Sequence, residues 1–196
     1  MKKEKRYWWQ PLALFTLRVI GWELVDKTPS EEKYVLIGAP HTSNWDWFFA
    51  ILAMTGLGIK PRWVGKDSLF RGIMGPIMRW TGGISVERGA RKNFVGQIID
   101  IYDEREKLAI TLAPEGTRKY IDHWKSGFYH IAQGAQVPVA MGFVNYEEKK
   151  CGIGGEFIPS GNLDEDMKIL QEFYAENAKG KFPEQQARVR FKNRAK

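Results

Sequence analysis

The 196-residue chain carries one cysteine, Cys151, and three histidines. A lone thiol closes no disulfide framework and builds no cysteine-based metal site. His123 and His130 lack ligand spacing with any carboxylate, so both read as structural or surface residues and no metal site is expected. Long apolar runs are also missing. The most apolar N-terminal stretch gives an amphipathic helix of about 15 residues, short of the roughly 20 that cross a bilayer. An internal Arg18, bulky tryptophans and no small-residue cleavage pattern argue against a secretory signal. No repeat or linker divides the chain. No helix-turn-helix, RNP-like block or zinc-finger spacing is present, which leaves a basic nucleic-acid-binding module, the competing class, without a motif.

What is present is basic and aromatic. The net charge of +7 and a pI near 9.4 call for an anionic partner. Seven of the eight tryptophans lie in the first 80 residues, and Tyr7-Trp-Trp9 follows a Lys/Arg-rich start. Indole rings suit a membrane interface, where an apolar body and a polar N–H are both accommodated. From Trp8 onward Leu12, Phe15, Val19 and Trp22 recur near helical spacing, so this segment is expected to lie in the interface or to pack on the protein's own core. With 43% apolar and 27% charged residues, the rest reads as one globular domain.

Two polar strings stand at predicted strand ends. Tyr34-Val-Leu-Ile37 reads as a buried strand, Gly38-Ala-Pro40 stops it, and Ser43 or Asn44 can cap a helix carrying Trp45, Phe48, Phe49 and Leu52. His41 then falls on the turn and Asp46 in the first helical turn. Five positions on one helix are separated by about 140°, so the two could not share a helical face without that turn. A histidine held by a carboxylate can deprotonate an attacking alcohol. The same residues also fit a capping box with a loop histidine. The second string, Ala113-Pro-Glu-Gly-Thr-Arg118, follows the strand Leu108–Leu112. Pro114 and Gly116 shape its turn, Glu115 can accept hydrogen bonds from substrate hydroxyls, and Arg118 can grip a phosphate. Ligands of open α/β sheets gather at such carboxyl edges.

In this order the strings resemble the glycerolipid acyltransferase family, which includes the 1-acylglycerol-3-phosphate acyltransferases, with its His-x4-Asp and Phe-Pro-Glu-Gly-Thr-Arg motifs. Gly82-Gly-Ile-Ser-Val-Glu-Arg88, Val137-Pro-Val139 and the segment Lys66 to Phe70 match weaker family blocks. Ala113 stands where phenylalanine is usual, and Lys119 where serine often follows. The resemblance implies acyl transfer from a thioester to the hydroxyl of a lysophospholipid, 1-acylglycerol-3-phosphate above all, in phospholipid synthesis or remodelling. His41 would be the general base and Asp46 its partner. Glu115, Gly116, Thr117 and Arg118 would bind the acceptor, with Arg88 and Lys125 as further positive contacts. No cofactor is implied, only acyl-coenzyme A or acyl carrier protein as donor substrate. A different lysolipid acceptor, or a lipid-binding relative without catalysis, are the alternatives. Backbone amides of the His41 turn or helix are candidates for the oxyanion hole.

The apolar stretch Leu57 to Trp80, with Phe70, Ile73, Met74, Ile77 and Met78, reads side chain by side chain as core, although the resemblance places the acyl chain near such residues. Further on, Val139–Val144 and Cys151–Pro159 read as strands, and Asn162 caps a helix over Asp164–Ala178. The expected architecture is α/β: a single domain with a mixed, largely parallel central sheet flanked by helices and preceded by an amphipathic interfacial helix. The segments are residues 1–30 at the membrane interface, 31–178 as the acyltransferase domain, and 179–196 as a basic tail, either a loose membrane-contacting arm or a solvated terminus. The protein is expected as a peripheral protein on the cytoplasmic face of a membrane, touching phospholipid, lysolipid acceptor and acyl thioester, and not nucleic acid.

Overall fold

The computed structural model describes residues 9–60, 62–86 and 94–192. The sheet among these residues has seven strands: β1 (Glu23–Asp26), β2 (Lys33–Ala39), β3 (Trp63–Lys66), β4 (Gly83–Val86), β5 (Leu108–Leu112), β6 (Val139–Asn145) and β7 (Lys150–Phe157). Their order is β1-β7-β6-β2-β5-β3-β4, and every pairing is parallel except β6 with β7. The chain is thus a single α/β domain with a mixed, mostly parallel sheet, as its alternation of strand and helix signals predicts.

Side-chain alternation divides the core between two faces. Val35, Ile37, Ala39, Ile110, Val139 and Met141 point to one face. Helices α4 (Phe94–Asp103), α5 (Gly127–Gly134) and α6 (Leu163–Asn177) supply Ile98, Tyr129 and Leu170 to the same cluster. Tyr34, Leu36, Ala109 and Ala140 point the other way, against Met54 of α2 (Asn44–Gly56). The capping predictions hold in detail. Asn162 Oδ1 accepts from the Asp164 and Glu165 amides at the start of α6. Ser43 and Asp46 form the capping box of α2.

Three expectations change. The N-terminal helix α1 (Gln10–Val19) is shorter than the apolar spacing suggests, because Gly21 turns the chain at φ +73. Trp22 therefore leaves the helix and stacks on Phe49 at 3.8 Å between ring centroids. Ala13 and Leu17 pack inward, whereas Leu12, Phe15 and Val19 are exposed. In the stretch from Leu57 to Trp80, Phe70 is core, but Ile73 is 92% exposed, Trp80 87%, and Met74 and Ile77 are exposed as well. The reason is that α3 (Met74–Trp80) presses one side onto the preceding turn, where a Cβ on Gly75 would stand 2.3 Å from the Phe70 carbonyl oxygen, and among the described residues its other side is left exposed. Finally, residues 179–192 are not a loose arm. Phe191 packs against Phe128 and Tyr129, Ala187 is buried, and Arg190 pairs with Asp122. Anchors this widely separated in sequence do not show in the tail's basic composition.

Candidate active site

β2 and β5 run side by side in the same direction, with Ile37 opposite Leu112. The turns that leave them therefore emerge together at one carboxyl edge, where both polar strings meet. β6 joins that edge, since Ala39 lies opposite Phe143.

After β2 the chain passes through a cis Ala39–Pro40 peptide into the His41 turn. His41 Nδ1 lies 3.6 Å from Asp46 Oδ2, with the imidazole 28% exposed and the carboxylate buried. The carboxylate that closes the capping box thus also faces the imidazole. Asp46 Oδ2 accepts from the Thr42 and Ser43 amides at 2.6 and 2.7 Å. Asp46 Oδ1 accepts from the Tyr146 hydroxyl at 2.7 Å. Burial works to raise the Asp46 pKa, but the His41 side chain, the Tyr146 hydroxyl and the two amides outweigh it and hold the carboxyl below the usual range. An ionised carboxylate facing Nδ1 fixes the ring and leaves Nε2 for a substrate proton.

Tyr146 is the residue that the sequence did not disclose. It follows β6 directly, and its ring lies edge-on to Phe49 and Trp22 in an aromatic cage. Its distance of 100 residues from Asp46 hides the pairing. The one available signal was its place just past a predicted strand at the carboxyl edge.

Glu115 behaves differently from the head-group contact expected of it. It is only 1% exposed, and its Oε2 accepts from the His41 amide at 2.9 Å, which ties one polar string to the other. Burial lifts its pKa to about 7, against the lowering effect of the His41 amide. Two buried carboxyls therefore flank His41 in opposite charge tendencies, Asp46 ionised and Glu115 able to keep a proton near neutrality.

Gly116 sits at φ +65, so the turn needs glycine for its backbone, and the exposed Lys125 side chain lies over it. Thr117 Oγ1 accepts from the Lys119 amide. Arg118 and Lys125 are exposed, and with His41, Gly116 and Thr117 they line a groove. The groove is also lined by Ala50 and Met54 of α2, by Leu57 just after it, and by Trp63, Leu69 and Met78. Arg88 lies outside the described residues.

The oxyanion-hole expectation does not survive for most of the His41 turn. The His41, Thr42, Ser43, Trp45 and Asp46 amides already serve Glu115, Asp46 and Ser43. Among the described residues no group of His, Cys, Asp and Glu is arranged to hold a metal ion. Cys151 is buried, with its thiol pushed up to about 12 by burial. No helix among the described residues is long and apolar enough to cross a membrane.

Comparison with known proteins bears on the family and the fold. A family model described as acyltransferase matches residues 18–141. The fold is similar to the crystal structure of the 1-acyl-sn-glycerophosphate acyltransferase PlsC from Thermotoga maritima, with a TM-score of 0.59 and 18% sequence identity over 84% of this chain and 74% of that one. No curated protein matches the chain.

Proposed function

Since this chain belongs to the acyltransferase family, we propose that it moves a fatty acyl group from an acyl thioester to the hydroxyl of a lysophospholipid, with 1-acylglycerol-3-phosphate as the acceptor. The observation that carries the reading is the His41–Asp46 pair in a groove lined both by apolar side chains and by Arg118 and Lys125. His41 Nε2 takes the hydroxyl proton as the oxygen attacks the thioester carbonyl. The tetrahedral intermediate then expels the thiolate, the C–S bond breaks, and the imidazolium returns its proton to sulfur. No covalent enzyme intermediate is required. The apolar arm between α2 and the Trp63, Leu69 and Met78 wall takes the acyl chain. Gly116, Thr117, Arg118 and Lys125 border the acceptor head group, with Arg88 as a further phosphate contact. Glu115 acts one step back, through the His41 amide. The donor rides on coenzyme A or acyl carrier protein.

The test is thiol release from both donors with lysophosphatidic acid and a panel of other lysolipids, with His41→Ala run in parallel. Acceptor-dependent release that vanishes in the variant supports the reading. No release with any pair, from folded and vesicle-bound protein, removes it.

Tyr146 is a positioning residue in this scheme. A hydrogen bond to a charged group contributes roughly 1.5–3 kcal/mol, so Tyr146→Phe should lower kcat by about 10-fold or more with both KM values unchanged. A rise in either KM at constant kcat would place Tyr146 in substrate binding instead.

The protein works at a membrane surface in this reading, with α1 lying in the interface. Leu12, Phe15 and Val19 present the apolar face while Ala13 and Leu17 hold the helix to the domain. Phe15→Asp should cut co-sedimentation with anionic phospholipid vesicles several-fold and leave the melting temperature unchanged. Equal co-sedimentation of both proteins would remove α1 from the contact.

A further inference from the structure

Beyond α6 the chain turns back to the active site. The Lys179 amide donates to the Val144 carbonyl, and the Tyr146 amide donates to the Lys179 carbonyl, so this segment lies alongside the end of β6. Gly180 then meets the His41 turn so closely that a Cβ would stand 2.9 Å from Thr42 Cγ2 and 3.3 Å from Pro40 Cγ. The Phe182 amide donates to Thr42 Oγ1 at 3.3 Å. Lys181 lies between these two anchored residues. Its ammonium stands over the Trp45 ring, 5.3 Å from the centroid, and 6.0 Å from that of Phe182.

There it lines a small pocket of about 360 Å³ together with Arg118, Thr42, Ser43 and Trp45. No carboxylate lines this pocket. Among the described residues neither Lys181 nor Arg118 has an acidic partner within ion-pair distance. Arg118 lines both this pocket and the large groove, so an anion held between the two cations sits at the groove mouth beside His41. Two uncompensated cations in a concave site favour a compact dianion, and a planar guanidinium paired with a point-charge ammonium suits a phosphate monoester.

We propose that Lys181, which lies past the family match that ends at residue 141, forms with Arg118 a subsite for the phosphate of the acceptor and so sets the preference for a phosphate-bearing lysolipid. The identity of the ligand rests on the acyl-transfer reading; the anion site itself does not.

The experiment is calorimetric titration of the full chain with a soluble short-chain 1-acylglycerol 3-phosphate, with the matching phosphate-free monoacylglycerol, and with coenzyme A. Lys181→Gln, Lys181→Arg and Arg118→Ala are compared with wild type. Lys107→Gln is the charge control, since Lys107 pairs with Glu32 at the opposite edge of the sheet. Lys181→Gln is expected to weaken the phosphate ligand about 5- to 10-fold, a modest factor because the cation is exposed. Lys181→Arg should restore most of that loss and Arg118→Ala should lose more. The monoacylglycerol should bind all variants alike, and Lys107→Gln should match wild type.

In steady state the same loss is expected in the acceptor KM, with kcat and donor KM held. Unchanged phosphate binding in Lys181→Gln overturns the subsite, as does absence of binding by wild type. Weakening confined to coenzyme A overturns its assignment to the acceptor. Lys181-dependent phosphate binding by a wild type that transfers no acyl group from any donor would keep the subsite and remove the acyl-transfer reading.

Discussion

His41→Ala is expected to lower kcat by about 10²- to 10⁴-fold, the usual contribution of a positioned general base, while leaving the fold intact. Asp46→Asn should lose activity on a similar scale for a different reason. An amide can neither offset the charge that develops on the imidazole nor accept from Thr42, Ser43 and Tyr146 together. That variant also weakens the N-terminus of α2, so stability must be separated from chemistry. Ser43→Ala provides the separation. It removes the capping oxygen that accepts from the Trp45 amide, for about 1 kcal/mol of stability, and leaves the Ser43 amide on Asp46. Thermal melts and initial rates on the three variants decide the matter. If Ser43→Ala lost as much activity as Asp46→Asn, capping would account for the Asp46 effect. If His41→Ala kept wild-type kcat, the base would have to be found elsewhere.

The second large effect is on stability against pH. Glu115 has a folded pKa near 7 against an ordinary value of 4.5. Below about pH 4.5 the carboxyl is protonated in both folded and unfolded chains and costs nothing. As pH rises from there, the unfolded chain gives up the proton first, and stability declines until the folded carboxyl has also ionised, above pH 7. The total is about 3 kcal/mol at 1.36 kcal/mol per pKa unit, since the group is buried and poorly screened. Glu115→Gln removes this titration and keeps an oxygen for the His41 amide. The stability of wild type minus that of the variant should therefore fall by about 3 kcal/mol between pH 4.5 and 8, or roughly 6–12 °C in melting temperature for a chain of this size. Taking the difference cancels the other titrating groups. Parallel curves across that range would refute a buried, proton-retaining Glu115. Glu115→Ala, with no oxygen to hold the His41 turn, should lose kcat where Glu115→Gln largely keeps it.

How far these features could be read in the chain follows from their range. The helix start at Ser43, the strand Leu108–Leu112 and the Asn162 cap are written in a few adjacent residues, and each forms where its local chemistry places it. Strands β3 and β4 carry a weak local signal because each has four residues and contains a glycine. Gly65 is required there by the crowding of Trp63 and Phe70, a reason that exists only once the fold has formed. His41, Asp46, Gly116 and Arg118 were legible because two strand-end strings kept their order. Tyr146 reaches the same place across 100 residues and Lys181 from beyond α6, so local sequence marks Tyr146 only by its place after a strand and Lys181 not at all. Glu115 was found but faces inward, because residue identity does not disclose which side of a turn a carboxylate takes.

The sheet order has a consequence for synthesis. Among the described residues the first strand, β1, pairs only with β7, Glu23 opposite Lys150, and the His41 turn takes a contact from Phe182. A chain emerging from the ribosome can pair β2 with β5 once residue 112 is out, yet it has nowhere to put β1 until about forty further residues follow. Contacts of such long sequence separation form slowly, and a nascent chain waits with its edge and its tryptophans uncovered. The His41 turn thus receives this contact only after residue 182 has been made.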